Sequence, residues 1–302
     1  MTDPNARLPA TVPALTGEAL ARAVAADFES FFLPWQPMKV RIAVEPARSP
    51  CIRGVGDDAR IVITPDMASD VIRDSDTFFF HLLILGHEIA HLVHRHLNAK
   101  DVGSADDRAL EFWADFYGAK VLMVLVTYGD RCSAIFRSYF GAAGFETPLE
   151  SVGRAVGRMV ESGIYNEHPR YPKPLLRVGL VSNGITSFLR LNMESPPPIW
   201  YFSVFKRIFG TPSVRELMLL HPEHVELDFD PIRRAQKWHR SMQGDDIAIT
   251  RGFKLNLARY LHTTFDQTVE ERRASHHVRL AELQAAGFLL DVSPDELWSE
   301  DE

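Results

Sequence analysis

The chain has 302 residues, 46% of them hydrophobic and 24% charged, with a formal net charge of −7. That is an ordinary globular composition, long enough for one large domain or two smaller ones. The negative balance argues against a broad nucleic-acid-binding face. No run approaches the roughly 18 apolar residues of a bilayer-spanning helix; Val121–Val126 is far too short. Two cysteines, Cys51 and Cys132, make no disulfide framework and favour a reducing compartment. Met1–Arg7 has no apolar core of a signal peptide. The expectation is a cytoplasmic protein without a membrane span or a nucleic-acid partner.

In chain order, Leu15–Phe32 shows helical periodicity and is ended by Pro34 and Pro37. Val40–Val44 alternates and Arg60–Thr64 is β-branched, so both read as strands, with loops between them. Asp74, Ser75 and Asp76 are N-cap candidates for the next helix, Phe78–His94. That helix carries His87-Glu88-x-x-His91. At about 3.6 residues per turn the two imidazoles stack on one face, where they can hold one Zn²⁺. Glu88 lies about 100° round the helix, placed to reach a water at the metal. The neighbours Leu85, Gly86, Ile89, Ala90, Leu92 and Val93 are uncharged, so the three polar side chains stand on a segment otherwise suited to burial. Buried polar groups need partners, and a metal with its water would satisfy all three.

His94 is about 10 Å along the axis from His87, too far to share one ion with both. His94, His96 and His81 read as solvated or capping histidines. Leu97 stands where the metzincin pattern requires a further histidine, which excludes that class.

A second helix is expected over Ala105–Tyr128. Glu111 and Asp115 lie one turn apart on it, flanked by aromatics. The spacing lets Glu111 complete a three-ligand site with an open fourth position, and lets Asp115 fix the tautomer of a ligating imidazole.

Gly-His-Glu-Ile-Ala-His followed by Glu-Phe-Trp-Ala-Asp resembles the gluzincin peptidases of the HtpX and CaaX-prenyl-endopeptidase type, over roughly residues 60–190. The order of two strands and a His-Glu-x-x-His helix is that of the zincin core, where an extended peptide pairs with an exposed strand edge. Ile61–Thr64 is the candidate for that edge; an ordinary structural hairpin is the alternative. The family's later His-Pro-x-x-x-x-Arg-Ile element implies a group that assists the oxyanion. Here two registers compete: Tyr171-Pro172 through Arg177-Val178 keeps the spacing, and His168-Pro169 keeps the letters. Tyr171, His168 and Arg177 are therefore all candidates for that role. Much of the family is membrane-embedded and this chain has no span, so it is more similar to relatives that cleave one protein target in bacterial regulation, stress or phage exclusion.

Farther on, helices are expected over Asp130–Gly141, Pro148–Ser162 and Lys173–Leu191, with glycine-marked turns. Ser195-Pro196-Pro197-Pro198 is the candidate boundary between residues 1–194 and a helical region 195–302, a cap or substrate-selecting lid. Pro231–Met242 is among its expected helices, and the acidic end 295–302 reads as a frayed tail. The later histidines, His239 among them, show no metal-ligand spacing with nearby acids.

The expected fold is α+β and mostly helical: a zincin-like core with a small sheet, followed by helices. The expected activity is a zinc-dependent endopeptidase acting on a protein or peptide substrate, with His87, His91 and Glu111 on the metal, Glu88 as general base and Asp115 behind a ligand. The alternative is a catalytically retired module that binds metal for interaction or sensing, in which Glu88 would have little use.

Overall fold

The computed structural model of the protein describes residues 14–98, 104–141, 144–168, 170–193, 197–221, 234–235, 237–239, 249–262, 269–285 and 293. Among these the chain is mostly helical, with one small sheet. Helix α1 (Gly17–Ser30) starts where the Thr16 hydroxyl accepts from Ala19 N–H. Strands β1 (Arg41–Val44), β2 (Cys51–Arg53) and β3 (Arg60–Ile63) follow, and a short helix α2 (Pro65–Ser69) leaves the sheet.

The sheet order is β1-β3-β2, with β1 parallel and β2 antiparallel to β3. This corrects the expected edge. Residues 61–63 lie in the central strand, whose backbone is paired on both sides, so an added peptide has no free hydrogen-bonding row there. An edge lies at β2, whose ladder partner is β3.

Helix α3 (Ser75–Val93) is capped by Asp74, whose carboxylate accepts from Thr77 N–H at 2.7 Å. Phe78, Phe79, Leu82, Leu85 and Ile89 are fully buried. Each such side chain contributes about 1.5–3 kcal/mol relative to exposure. Apolar residues all round the helix put it at the centre of the molecule. Helix α4 (Ser104–Tyr128) lies against it, and α5 (Asp130–Phe140), α6 (Glu146–Glu161) and α7 (Pro174–Asn192) complete the surrounding layer. The buried Asp27 carboxylate on α1 accepts from Arg131 and Cys132 N–H, placing a negative charge at the N-terminus of α5.

Two glycines set how closely α3 and α4 approach. A Cβ on Gly86 would lie 2.5 Å from Gly118 O, and one on Gly118 would lie 2.7 Å from His87 N. Backbone therefore meets backbone beside His87, which brings the side chains of the two helices within reach of one another.

Helices α8 (Pro198–Phe209) and α9 (Pro212–Leu220) pack against α6 and α7. Residues 249–262 return to the front of the chain. Phe253 packs edge-on against Phe28 and tilted against Phe32, Lys254 N–H donates to Phe31 O, and Tyr117 OH donates to Leu261 O across 144 positions. Helix α10 (Leu255–Leu261) carries that last acceptor, and α11 (Val269–Ala285) follows. The expected helix 231–242 is helical at its described positions, 234–235 and 237–239. Residues 195–196 of the candidate boundary and the acidic end 295–302 lie outside the described residues.

Alanine improves an isolated helix over glycine by about 1 kcal/mol. Here the steric term is expected to win: Gly86→Ala or Gly118→Ala should lower the unfolding free energy by about 1–3 kcal/mol in urea titrations. A variant as stable as the wild type would show that the two helices can move apart freely.

Candidate metal centre

The crossing of α3 and α4 brings together residues from both helices. His87 Nε2 and His91 Nε2 are 3.1 Å apart. Glu111 Oε2 is 3.1 Å from His87 Nε2, and Glu111 Oε1 is 3.5 Å from His91 Nε2. Three groups thus converge and could hold a metal ion. Glu111 Oε2 is buried, and its one close polar neighbour among the described residues is His87 Nε2, without well-formed hydrogen-bond geometry; a cation between the two would satisfy both. The three side chains keep 13–19% of their surface exposed, so the site opens to solvent on one side.

Behind His87 stands Asp115, on the same face of α4 as Glu111. His87 Nδ1–H donates to Asp115 Oδ1 at 3.0 Å, which fixes the tautomer that turns Nε2 toward the centre. Asp115 also accepts from Arg177 Nε at 2.6 Å, from Arg177 Nη2 at 3.1 Å and from Tyr165 OH at 3.3 Å. Arg177 and Asp115 are 3% and 1% exposed, so this is a buried, bidentate ion pair. Arg177 further donates to Ile164 O and lies over the Tyr165 ring.

That geometry gives Arg177 a partner the sequence did not indicate. Its guanidinium forms a buried ion pair with Asp115. His168 is exposed; its Nδ1 accepts from Arg170 N–H and its ring lies 5.5 Å from that of Tyr171. Tyr171 is the partly buried member of the segment, close enough that the Glu111 and Glu88 charges, after burial, push its phenol pKa upward. Of the two registers read from the sequence, Tyr171 is the one near the acids.

The charges are interleaved. Burial works against a protonated His87, but the hydrogen bonds with Asp115 and Glu111 outweigh it and push its pKa up to about 10. Burial likewise opposes the charges of Glu111 and Asp115, yet both are held below the ordinary carboxylate range, by the histidines and by Arg177 respectively. Glu88 is 7% exposed; burial raises its pKa, against the pull of His87 and His91. Strand β2 passes beside it: the Glu88 charge adds to burial in raising the Cys51 thiol pKa.

The histidines read as solvated or capping are all buried, and His94 is a cap. His81 is 1% exposed and bonds Asp70 through Nε2. His94 is the C-cap of α3; its Nδ1–H donates to Ala90 O and its Nε2 accepts from Trp113 Nε1–H. His96 lies between two others: its Nδ1 is 2.6 Å from His91 Nδ1, and its Nε2 is 2.7 Å from Nε2 of the fully buried His239. Burial and neighbouring histidines hold both His96 and His239 well below the ordinary imidazole pKa. Sequence gives no sign of this cluster, because 143 positions separate His96 from His239. Tyr165 was likewise invisible; an exposed loop tyrosine has the same local signature.

A cleft of about 670 Å³ runs from His91 and Arg95 past Ile52 and Gly54 to Arg41 and Met38. One wall is the C-terminal end of α3 and the other is the sheet with its loops. No helix among the described residues is long and apolar enough to cross a membrane.

Arg177→Met would leave Asp115 buried without its cation. It is expected to cost about 3–5 kcal/mol of stability in denaturant titrations. A group acting only on an oxyanion would lower turnover and leave the unfolding midpoint unchanged. Comparison of the chain with protein-family models, with curated proteins and with solved structures finds no match.

Proposed function

We propose that this protein is a zinc-dependent endopeptidase with a gluzincin-type centre, in which His87, His91 and Glu111 hold the metal. The observation that carries the reading is the convergence of two imidazole nitrogens and a carboxylate at separations of 3.1 and 3.5 Å. Ligand atoms about 2.0–2.1 Å from a tetrahedral zinc are themselves roughly 3.3 Å apart, so the donor set fits. Two nitrogens and one oxygen are also the donor types of catalytic zinc, with a fourth position left for water or substrate.

When bound, zinc supplies Lewis acidity, lowering the pKa of a water and polarising a carbonyl. The chain's own residues supply the rest. The Glu88 carboxylate, with its raised pKa, accepts the proton of the attacking water and returns it to the leaving amine. Asp115, pinned by Arg177, keeps His87 in the ligating tautomer. Tyr171 OH is the donor available to a developing oxyanion. An extended peptide would run along the cleft beside β2, whose edge is near Glu88, and a peptide added there is bound by main-chain hydrogen bonds. A target within regulation, stress or phage defence follows from the family resemblance alone.

Glu88→Gln is expected to retain zinc and lose about 10²–10⁴-fold in cleavage. Fragments that wild-type protein generates in whole lysate, and the variant does not, are the readout; equal cleavage would remove Glu88 from the chemistry. Metal-free His87 keeps its proton up to about 10, so zinc uptake near neutrality must expel it. Lowering the pH below that value favours the protonated, metal-free state, and apparent zinc affinity should fall about tenfold per unit. Competition with a chelator measures the slope; a flat profile would show that no proton on His87 competes with zinc near neutrality.

A further inference from the structure

His96 and His239 belong to no role assigned so far. Three histidines form a line of nitrogen–nitrogen contacts, from His91 Nδ1 to His96 Nδ1 at 2.6 Å and from His96 Nε2 to His239 Nε2 at 2.7 Å. Contacts this short between two ring nitrogens need one proton between them. A neutral imidazole has one N–H, so the protons along the line cannot be chosen independently.

We infer that His96 is a positioning residue for the metal ligand His91, and that His239 in turn fixes His96. The inference rests on the zinc reading of His87, His91 and Glu111. With the His91 Nε2 lone pair given to the metal, its proton is on Nδ1 and is donated to His96 Nδ1. The proton of His96 is then on Nε2 and is donated to His239 Nε2, which leaves the proton of His239 on Nδ1. Each ligand histidine thus has its own orienting partner: a carboxylate for His87, and an imidazole for His91. The two differ in kind. Asp115 brings a charge that Arg177 must balance, whereas His96 orients its ligand without adding charge to the buried side of the site. His239 is contributed by the far half of the chain, so that half takes part in shaping the metal site.

Nitrogens of His94, His96 and His239 also lie within 4.8 Å of one another, close enough to suggest a second metal site. The proton order argues against it. His94 Nδ1–H donates to Ala90 O, and its Nε2 lone pair already accepts from Trp113 Nε1–H. His96 Nε2 carries the proton that His239 receives. The cluster is therefore a hydrogen-bonded support, and the chain should bind one zinc.

The test measures zinc affinity of the full chain by chelator competition, together with the visible spectrum of the cobalt-substituted protein. His96→Ala is expected to weaken zinc binding about 10–100-fold and to alter the cobalt spectrum. His96→Asn, whose side-chain oxygen can accept from His91 Nδ1–H, is expected to restore most of both. Imidazole ¹⁵N spectra of the zinc-loaded wild type need no variant and should show His96 protonated on Nε2 and His239 on Nδ1. Wild-type affinity in His96→Ala, a failure of His96→Asn to improve on alanine, a His96 proton on Nδ1, or two zinc ions per chain would each overturn the inference. Those results leave zinc at His87, His91 and Glu111 intact. Wild-type protein that binds no zinc, or whose binding is indifferent to Glu111→Gln, would instead overturn the zinc reading and this inference with it.

Discussion

The close approach of α3 and α4 at Gly86 and Gly118 is the constraint on which the rest of the structure depends. Two helices normally keep about 8–10 Å between axes, with side chains filling the gap. Where two glycines face each other, nothing fills it, and the next turns of each helix bring their functional groups together. His87 follows Gly86 directly, and Glu111 and Asp115 lie on the turns of α4 just before Gly118. The packing of an apolar core and the assembly of a polar centre are in this way one event.

The centre survives burial because its charges alternate. Arg177, Asp115, His87 and Glu111 form a sequence of positive, negative, ionisable and negative groups, each within hydrogen-bond or ion-pair distance of the next. Isolated charges in such a setting would be costly by several kcal/mol. In a chain of neighbours each charge is the solvent of the next. The same logic explains why Glu88, which has no ion pair among the described residues, has its pKa raised while the other two acids are held low.

Much of this was legible in the residues. The helix bearing His87 and His91 announces itself by an Asp cap and by apolar residues on all sides, and the i,i+4 spacing of Glu111 and Asp115 survives any helical arrangement. The sheet was less legible. Strand β2 is three residues long, too short for alternation to register, and without it the central strand was taken for an edge. The bond between Arg177 and Asp115 was not legible, since a motif carries identity and position, not the partner that captures a guanidinium. His96 and His239 could not be foreseen together: nothing local to either encodes a neighbour so distant in sequence. Their burial is decided by how the later segments fold back, and periodicity does not report that.

The bond from Tyr117 to Leu261 has a consequence for the order in which the molecule matures. The helices that hold the proposed centre are neighbours along the polypeptide and can pair early during synthesis. The carbonyl that satisfies the buried hydroxyl on α4, and the Phe253 ring that closes over Phe28 and Phe32, emerge from the ribosome far later. A nascent chain released short of them would carry the ligands yet lack the clasp that secures their scaffold. The scaffold of the proposed centre is therefore closed only after those later segments have been made.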